Sequence, residues 1–410
     1  MGTTRSCDAL IAGAGPAGLA TALHLLRRTP GFRGRIVALE KSAHPRRKTC
    51  AGGLIPKTIL ALRELGIGLD VPHVAVMRSL ARTPVGDALV ERDEPVGTVV
   101  RRDEFDAMLA REARASGLQI EERCRVTGIR VAGGSVTVET ERGEFEAPVV
   151  VGADGSGSIV RRMVFGSTKE TLGRALMADI AVDSTVATEF VDRLYRFDFR
   201  CVSAGIHGYA WSFPCLVRGK PHLNVGIYHQ YPRETEDGGG SNSILLGELQ
   251  KAFPELPLEA LRDRRFRYEA FPIRWFNRGD RYVRGRVVLA GDAAGVDPLM
   301  GEGISCAFEH GKLAARAIAQ LLAGEPGALE RYDRELHRGA IGWKLRKLAF
   351  AARHFYGPYN RMFFRMALVS RRAQEIGLDW YNGAGHTDEV ATARLIARWF
   401  GSVLFGARVR

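Results

Sequence analysis

The sequence predicts an α/β chain in which a doubly wound, nucleotide-binding type of domain is interrupted by a mostly antiparallel β domain and followed by a helical region. Three observations carry this. A glycine-rich turn, Gly13-Ala14-Gly15-Pro16-Ala17-Gly18, separates a short apolar strand at Ala9–Ala12 from an Ala/Leu-rich helix at about Pro16–Arg28. Two further apolar strands, Val149–Val151 and Val287–Ala290, run into Gly-Ala-Asp-Gly and Gly-Asp turns far downstream. From about 170 to 275 the texture changes to alternating aromatic and β-branched residues with hairpin-like turns.

The elements follow in order. Arg35–Leu39 reads as a second strand that ends at Glu40. Residues 54–66 look helical, and 74–100 carry short alternating runs with turn signals. Arg102–Ser116 is amphipathic, with Phe105, Leu109 and Ala113 at helical spacing. Strands near Arg125–Val131 and Ser135–Thr140 flank Gly133-Gly134, and Ala147–Val151 follows as another. Asp237–Asn242 (DGGGSN) reads as a flexible loop. Arg286–Ala290 returns to a buried strand, Gly303–Leu322 to a long helix, and helical patterns dominate from Tyr332. The expected division is 1–73, 101–168 and 281–335 for the nucleotide domain, 74–100 and 169–280 for the β domain, and 336–410 for the helical region.

At 410 residues the chain is long enough for two or three domains, and 46% hydrophobic with 26% charged residues is a globular composition. The N-terminus carries no basic region followed by a long apolar stretch, so no secretory signal is expected. No run reaches the roughly 18 apolar residues that span a bilayer. The expected location is cytoplasmic or peripheral to a membrane. Six cysteines are scattered without a CxxC pair, which argues for reduced thiols and against a disulfide framework or a metal site. The net charge is +13, and residues 341–410 hold twelve Lys/Arg against four Asp/Glu, which is +8 of it. Such a tail suits nucleic acid, an anionic membrane surface or an acidic substrate, and charge alone does not choose.

In the first turn Gly13 permits the bend, Gly15 lets a pyrophosphate approach the backbone, and Gly18 lets helix and strand pack closely. The helix N-terminus then offers its partial positive charge to the diphosphate. Glu40, twenty-two residues after Gly18, is placed to accept hydrogen bonds from ribose hydroxyls and to repel a 2′-phosphate. FAD or NAD fits; NADP at this turn does not. Val149–Gly155 and Val287–Gly295 decide for FAD. Asp292 at a strand end suits a ribityl hydroxyl, and the segment through Asp297-Pro298 to Gly301-Glu302-Gly303-Ile304 opens a helix. That helix end suits negative charge on the N1/O2 edge of a reduced flavin. The nucleotide domain is thus a Rossmann-type FAD-binding domain.

Gly13–Gly18, Glu40, Arg102-x-x-Phe105-Asp106, Asp154-Gly155 and Gly291-Asp292 together resemble the p-hydroxybenzoate-hydroxylase-like flavoproteins over about residues 7–325. Within them the chain resembles the geranylgeranyl reductase family. Lys48-Thr49-Cys50-Ala51-Gly52-Gly53-Leu54 is similar to its Lys-x-Cys-Gly-Gly-Gly-Leu segment, with Ala51 for a glycine. Tyr209-Ala210-Trp211-Ser212-Phe213-Pro214 is similar to its Tyr-x-Trp-x-Phe-Pro core, although Ile206 stands where the fuller motif has proline. Gly291–Gly303 also matches. The resemblance implies that Arg102 touches the flavin or its ribityl-phosphate chain. It places Lys41, Cys50, Ala51 and Gly52 with Pro16, Ala17, Asp154, Gly155, Pro298, Gly301, Gly303 and Ile304 at the cofactor. On a strand, Tyr209, Trp211 and Phe213 share one face, either as core or as the wall of an apolar tunnel over the flavin.

The implied reaction is hydrogenation of isolated prenyl double bonds by hydride from reduced flavin. Such an alkene cannot absorb negative charge, so an acid must protonate one carbon, and aromatic faces would help the developing cation. Tyr209 or Cys50 is the candidate for the proton and Trp211 for shielding the cation. Cys50, beside His44, Arg46, Arg47 and Lys48, is either an activated thiol or an inert small residue. There is no second strand–GxGxxG–helix unit, so transient NADPH or an electron-transfer protein is the reductant. Residues 341–372 interleave aromatics with basic groups, which fits an interfacial helix or a helical lid with a basic face. Nucleic acid fits poorly beside an FAD site, and oligomeric state stays open. The alternatives are a monooxygenase or halogenase acting through a C4a-hydroperoxyflavin, and a flavin-bound lipid carrier without turnover. The halogenase element Trp-x-Trp-x-Ile-Pro differs from Tyr209–Pro214.

Overall fold

The computed structural model describes residues 4–166, 172–230, 240–257, 269–369 and 371–382. A central sheet of six strands runs in the order Val283–Arg284, Val287–Leu289, Val150–Gly152, Ala9–Ala12, Ile36–Glu40 and Gln119–Glu122. All pairings are parallel except at the Val283–Arg284 edge. The strands are short, continuous apolar runs because parallel strands are buried on both faces. The first glycine turn and the two Asp-containing turns all leave the C-terminal ends of adjacent strands, where open α/β sheets bind ligands.

Helix α1 (Pro16–Arg28) follows the first turn, with proline at its first position. Helices α2 (Pro56–Glu64), α3 (Arg102–Ala115) and α4 (Ile159–Phe165) follow in the same domain. Val136, Val138 and Phe145, from a four-stranded sheet, share the core with α1 and α3.

A second sheet of seven strands runs in the order Glu269–Arg274, Leu172–Ala181, Lys220–His229, Gly208–Val217, Leu194–Asp198, Arg78–Thr83 and Gly86–Glu91. It is antiparallel apart from the pairing of Leu194–Asp198 with Arg78–Thr83. The short helix α5 (Thr188–Val191) and helix α6 (Gly240–Ala252) belong to this part. The DGGGSN segment differs from its reading as a loop: residues 237–239 lie outside the described residues, and Gly240–Asn242 already belong to α6. Leu245, Leu249 and Phe253 bury against Ala178, Val225 and Ile227, and this packing outweighs the poor helix propensity of the glycine.

Helix α7 (Ile304–Leu322) returns to the first domain and crosses α1, where a Cβ on Gly311 would stand 2.8 Å from Ala20 Cβ. Helices α8 (Ala328–Arg338), α9 (Ala340–Phe355), α10 (Asn360–Ala367) and α11 (Arg371–Asn382) complete the chain as described. Among the described residues no helix is long and apolar enough to cross a membrane.

Candidate functional site

Glycine packing brings the three turns together. Gly13 has φ +104°, and a Cβ there would run into the Ala153 carbonyl and stand 2.9 Å from Asp154 Cα. Gly291 has φ +62°, and its Cβ would stand 2.6 Å from Ala17 Cβ. On Gly18 a Cβ would be 2.9 Å from Ile11 Cγ2, which sets the close approach of α1 to its strand. Gly15 is different: only Arg46 Nη2, at 3.2 Å, approaches its Cβ position, so the turn is open on the side a diphosphate would use.

Charged side chains frame that opening. Glu40 is buried, and its Oε2 accepts from the Ala14 N–H at 3.2 Å and lies 3.3 Å from Arg46 Nε. Arg46 also reaches Asp106 at 3.3 Å. Arg102 is paired with Asp106 through Nε at 2.8 Å and Nη2 at 3.0 Å. Burial works against the Arg102 charge, but Asp106 and Cys50 more than offset it and raise its pKa. Lys41 is exposed at the strand end. His44 joins the turn to the sheet edge, with Nε2 3.0 Å from the Ala14 carbonyl and Nδ1 2.9 Å from Glu122. Burial alone would raise the Glu122 carboxyl, but hydrogen bonds from His44 and Arg114 hold it down to about 2.

Lys48 lies between the parts. Its ammonium stands 3.3 Å from the Phe271 ring centroid, in the field of Asp292, Arg102, Cys50 and Asp106. Burial pushes it down to about 8, against the pull of Asp292. Its flanks are tied to the second sheet, Thr49 by a 2.6 Å bond to Glu269 and Arg47 by an ion pair to the same carboxylate. Ala51 packs against the aromatic cluster, and a Cβ on Gly52 would run into the Val100 carbonyl.

The two downstream aspartates do different work. Asp154 accepts from Ser158 Oγ at 2.5 Å and from the Ile159 and Val160 amides at 2.7 and 3.2 Å, so its carboxylate caps α4. Burial raises its pKa despite these bonds. Gly155, next to it, has nothing within 4 Å of its Cβ position. Asp292 accepts from Ser156 Oγ at 3.1 Å, and a Cβ on Gly303 would lie 3.0 Å from its other oxygen. The α7 N-terminus, at Gly303 and Ile304, is thus beside Asp292. Glu302 covers part of that terminus by accepting from the Ser305 amide at 2.7 Å. Burial lowers His310 to about 4, which keeps it neutral, and its Nδ1 accepts from the Gly291 amide at 3.0 Å. In the loop before α7, Pro298 is buried and its carbonyl accepts from Gln230. Burial pushes Asp297 up to about 6, although the Leu299 and Met300 amides and the Tyr381 hydroxyl all donate to it. Gly301 lies under Ile273 and Tyr228 of the second sheet.

The second sheet turns an aromatic face to these loops. Tyr209, Trp211 and Phe213 lie on one face with Tyr195 and Tyr228, and Ala51 and Met300 pack against them. Tyr195 and Phe213 are 4.4 Å apart, Phe197 and Phe213 5.2 Å, and Tyr209 and Trp211 6.0 Å. Gly226, paired with Trp211 across the ladder, leaves room for the indole. The Tyr209 hydroxyl donates to the Met300 carbonyl at 2.6 Å, and burial raises its pKa. Trp211 Nε1 donates to Asn224 at 2.9 Å, Asn224 Nδ2 to Asp179 at 2.7 Å, and Arg101 grips Asp179 at 2.9 and 3.0 Å.

The structure brings the three glycine turns together and sets Arg46, Arg102 and Asp106 in contact with one another, while Lys41 is exposed at the strand end and the Asp154 carboxylate is turned to α4. Sequence reasoning passed over His310 and the Asn224–Asp179–Arg101 chain. Their signal was weak, because single buried polar residues in apolar runs look like core. An extended dinucleotide fits this site: an open glycine turn, the cations Arg46 and Arg102 meeting at Asp106, Lys48 in the field of Asp106 and Asp292, and Asp292 beside a helix N-terminus.

Comparison with known proteins agrees. A family described as FAD binding domain matches residues 6–348. A digeranylgeranylglycerophospholipid reductase of Methanocella arvoryzae is 30% identical over 62% of each chain. A 3-hydroxybenzoate 6-hydroxylase of Klebsiella oxytoca is 27% identical over 83% of this chain and 87% of its own. A solved geranylgeranyl bacteriochlorophyll reductase-like protein of Thermoplasma acidophilum shares the fold at TM-score 0.68, with 20% identity over 85% of this chain and 88% of that one. This chain belongs to the FAD binding domain family and is an FAD-dependent oxidoreductase.

Proposed function

We propose that the protein reduces carbon–carbon double bonds of a prenyl chain. The observation that carries this reading is the aromatic face of Tyr209, Trp211 and Phe213, against which Ala51 and Met300 pack. An apolar, ring-lined wall suits a hydrocarbon and a developing tertiary cation, and offers little to a small charged aromatic acid. The name of the Methanocella arvoryzae relative points the same way.

Bound FAD, reduced by NADPH or another donor, would supply the hydride. The chain's own residues would do the rest. Arg46, Lys48 and Arg102 would hold the diphosphate and ribityl stretch, with Glu40 at the adenosine ribose and Asp292 at the ribityl hydroxyls. The Tyr209 hydroxyl, already committed to Met300 and made less acidic by burial, would fix the wall. Cys50 is left as the group that carries the proton to the alkene. Trp211, with its indole N–H fixed by Asn224, would shield the cation.

The test is anaerobic photoreduction of the flavin followed by reoxidation with prenyl compounds. Reduction predicts substrate-dependent return of the oxidised spectrum and a product heavier by two hydrogens. The 3-hydroxybenzoate 6-hydroxylase relative supports a second reading, oxygenation. That reading predicts turnover only when O₂ is admitted.

A further inference from the structure

The outer surface of α9 and α10 answers a question that the proposed substrate raises: how a membrane-resident chain reaches the aromatic wall. Residues 336–374 contain nine Lys/Arg and no Asp or Glu. On α9, Trp343, Lys347, Phe350 and His354 follow a spacing of four, three and four residues, which is one helix face. On α10, Tyr359, Met362, Met366 and Val369 continue the same pattern into the following turn. Phe350 is 61% exposed, Tyr359 68%, Met362 50% and Trp343 46%. The His354 ring connects the two helices, 4.1 Å from Phe350 and 4.6 Å from Phe363. Arg353, Arg361 and Arg365 stand exposed around the patch.

The aromatics of this segment divide between two sides. Phe364 and Tyr356 are 4% and 3% exposed and face inward. Phe364 lies 5.6 Å from Phe199, which itself lies 5.4 Å from Tyr209 in the wall. Tyr356 donates to the Leu299 carbonyl, in the loop before α7. The same two helices thus present rings to solvent on one side and to the candidate substrate site on the other.

We propose that the α9–α10 surface docks on an anionic lipid bilayer and admits membrane-resident chains to the wall behind it, an inference that rests on the prenyl reading above. A bilayer interface takes both chemistries at once: Phe350, Tyr359, Met362 and Trp343 enter below the headgroups, and the arginines sit at phosphate level. A patch with no acidic residue over thirty-nine positions is complementary to a surface of one sign, and its exposed rings require an apolar layer beneath that charge.

The test uses the flavin-loaded full chain and vesicles of phosphatidylcholine alone or with about a third phosphatidylglycerol. The expected result is binding at least about tenfold tighter to the anionic vesicles, weakening as salt rises. The double variant Phe350→Ser, Met362→Ser should lose about tenfold at low salt. The triple variant Arg353→Gln, Arg361→Gln, Arg365→Gln should lose most of the preference for anionic lipid. Both should keep their flavin absorbance and reduce a short, water-soluble isoprenoid at the parent rate, while slowing on vesicle-borne substrate. Equal binding to both vesicles, binding untouched by the variants, or self-association through this face abolished by Phe350→Ser would overturn the proposal. Isoprenoid reduction without vesicle binding would sink docking alone. Variant-sensitive anionic binding without any isoprenoid reduction would leave docking standing and sink the prenyl reading.

Discussion

The glycine turns and the aromatic face of this protein are built by opposite means. At the turns, backbone meets backbone or a methyl group: Gly13 against Ala153, Gly291 against Ala17. No atom can be added at these points. At the face, rings meet rings at 4.4 to 6.0 Å, and one ring is exchangeable for another at modest cost. The first region constrains which cofactor fits, and the second constrains only the polarity and width of what lies beside it. Cofactor identity is therefore sharply specified and substrate identity loosely so.

The largest expected effect tests the first half of that contrast. Gly13→Val places a β-branched residue at φ +104° with its Cβ in the Ala153 carbonyl. The purified variant should carry no flavin by visible absorbance, whereas wall variants such as Trp211→Leu should retain it. A flavin-replete Gly13→Val protein would break the contrast.

Next in size is the split between Cys50 and Tyr209. Cys50→Ala should lower the single-turnover rate of alkene reduction by about a hundredfold, in the range of a lost proton-transfer group. Tyr209→Phe should lower it by less than about tenfold, because its hydroxyl is spent on Met300. Comparable losses in the two would return Tyr209 to the proton path.

Asn224→Leu probes the wall's support. It leaves the Trp211 N–H and Asp179 without their buried partner, a cost of about 1–3 kcal/mol. The expected signs are a lower melting temperature, a shifted Trp fluorescence spectrum and unchanged flavin content.

The smallest effect is at Glu122. Its folded pKa is depressed, so it contributes stability above the ordinary carboxyl range, and that contribution is lost as pH falls towards about 2. With solvent screening at this partly exposed site, Glu122→Gln should cost about 1 kcal/mol at neutral pH. The gap between variant and parent should narrow as pH falls below about 4.5 and close only near pH 2 in denaturant titrations. A gap constant with pH would deny Glu122 its charged role beneath the turn.

What was legible in the sequence follows the same division. The α1 bounds, the end of the second strand at Glu40 and the three turns could be read because only glycine tolerates such bends and close approaches, so its spacing is diagnostic. The shared face of Tyr209, Trp211 and Phe213 followed from strand alternation alone. The capping role of Asp154 was not visible, because a Gly-Ala-Asp-Gly turn reads alike whether its carboxylate faces a ligand or the next helix. His310 was invisible for a related reason: it accepts from the Gly291 amide, which only the fold brings near. The basic-aromatic tail was legible in composition, yet only the packing of Phe364 and Tyr356 separates its inner rings from the exposed ones.

The central claim, that this flavin site serves an apolar alkene, is tested most directly by rapid mixing of the anaerobically reduced holoprotein with a geranylgeranyl compound. The predicted result is flavin reoxidation at a rate that depends on substrate concentration, with a product heavier by two hydrogen atoms. Reduced flavin that persists with every prenyl compound, and is reoxidised only on admitting O₂ with oxygen or halogen appearing in a product, would contradict it.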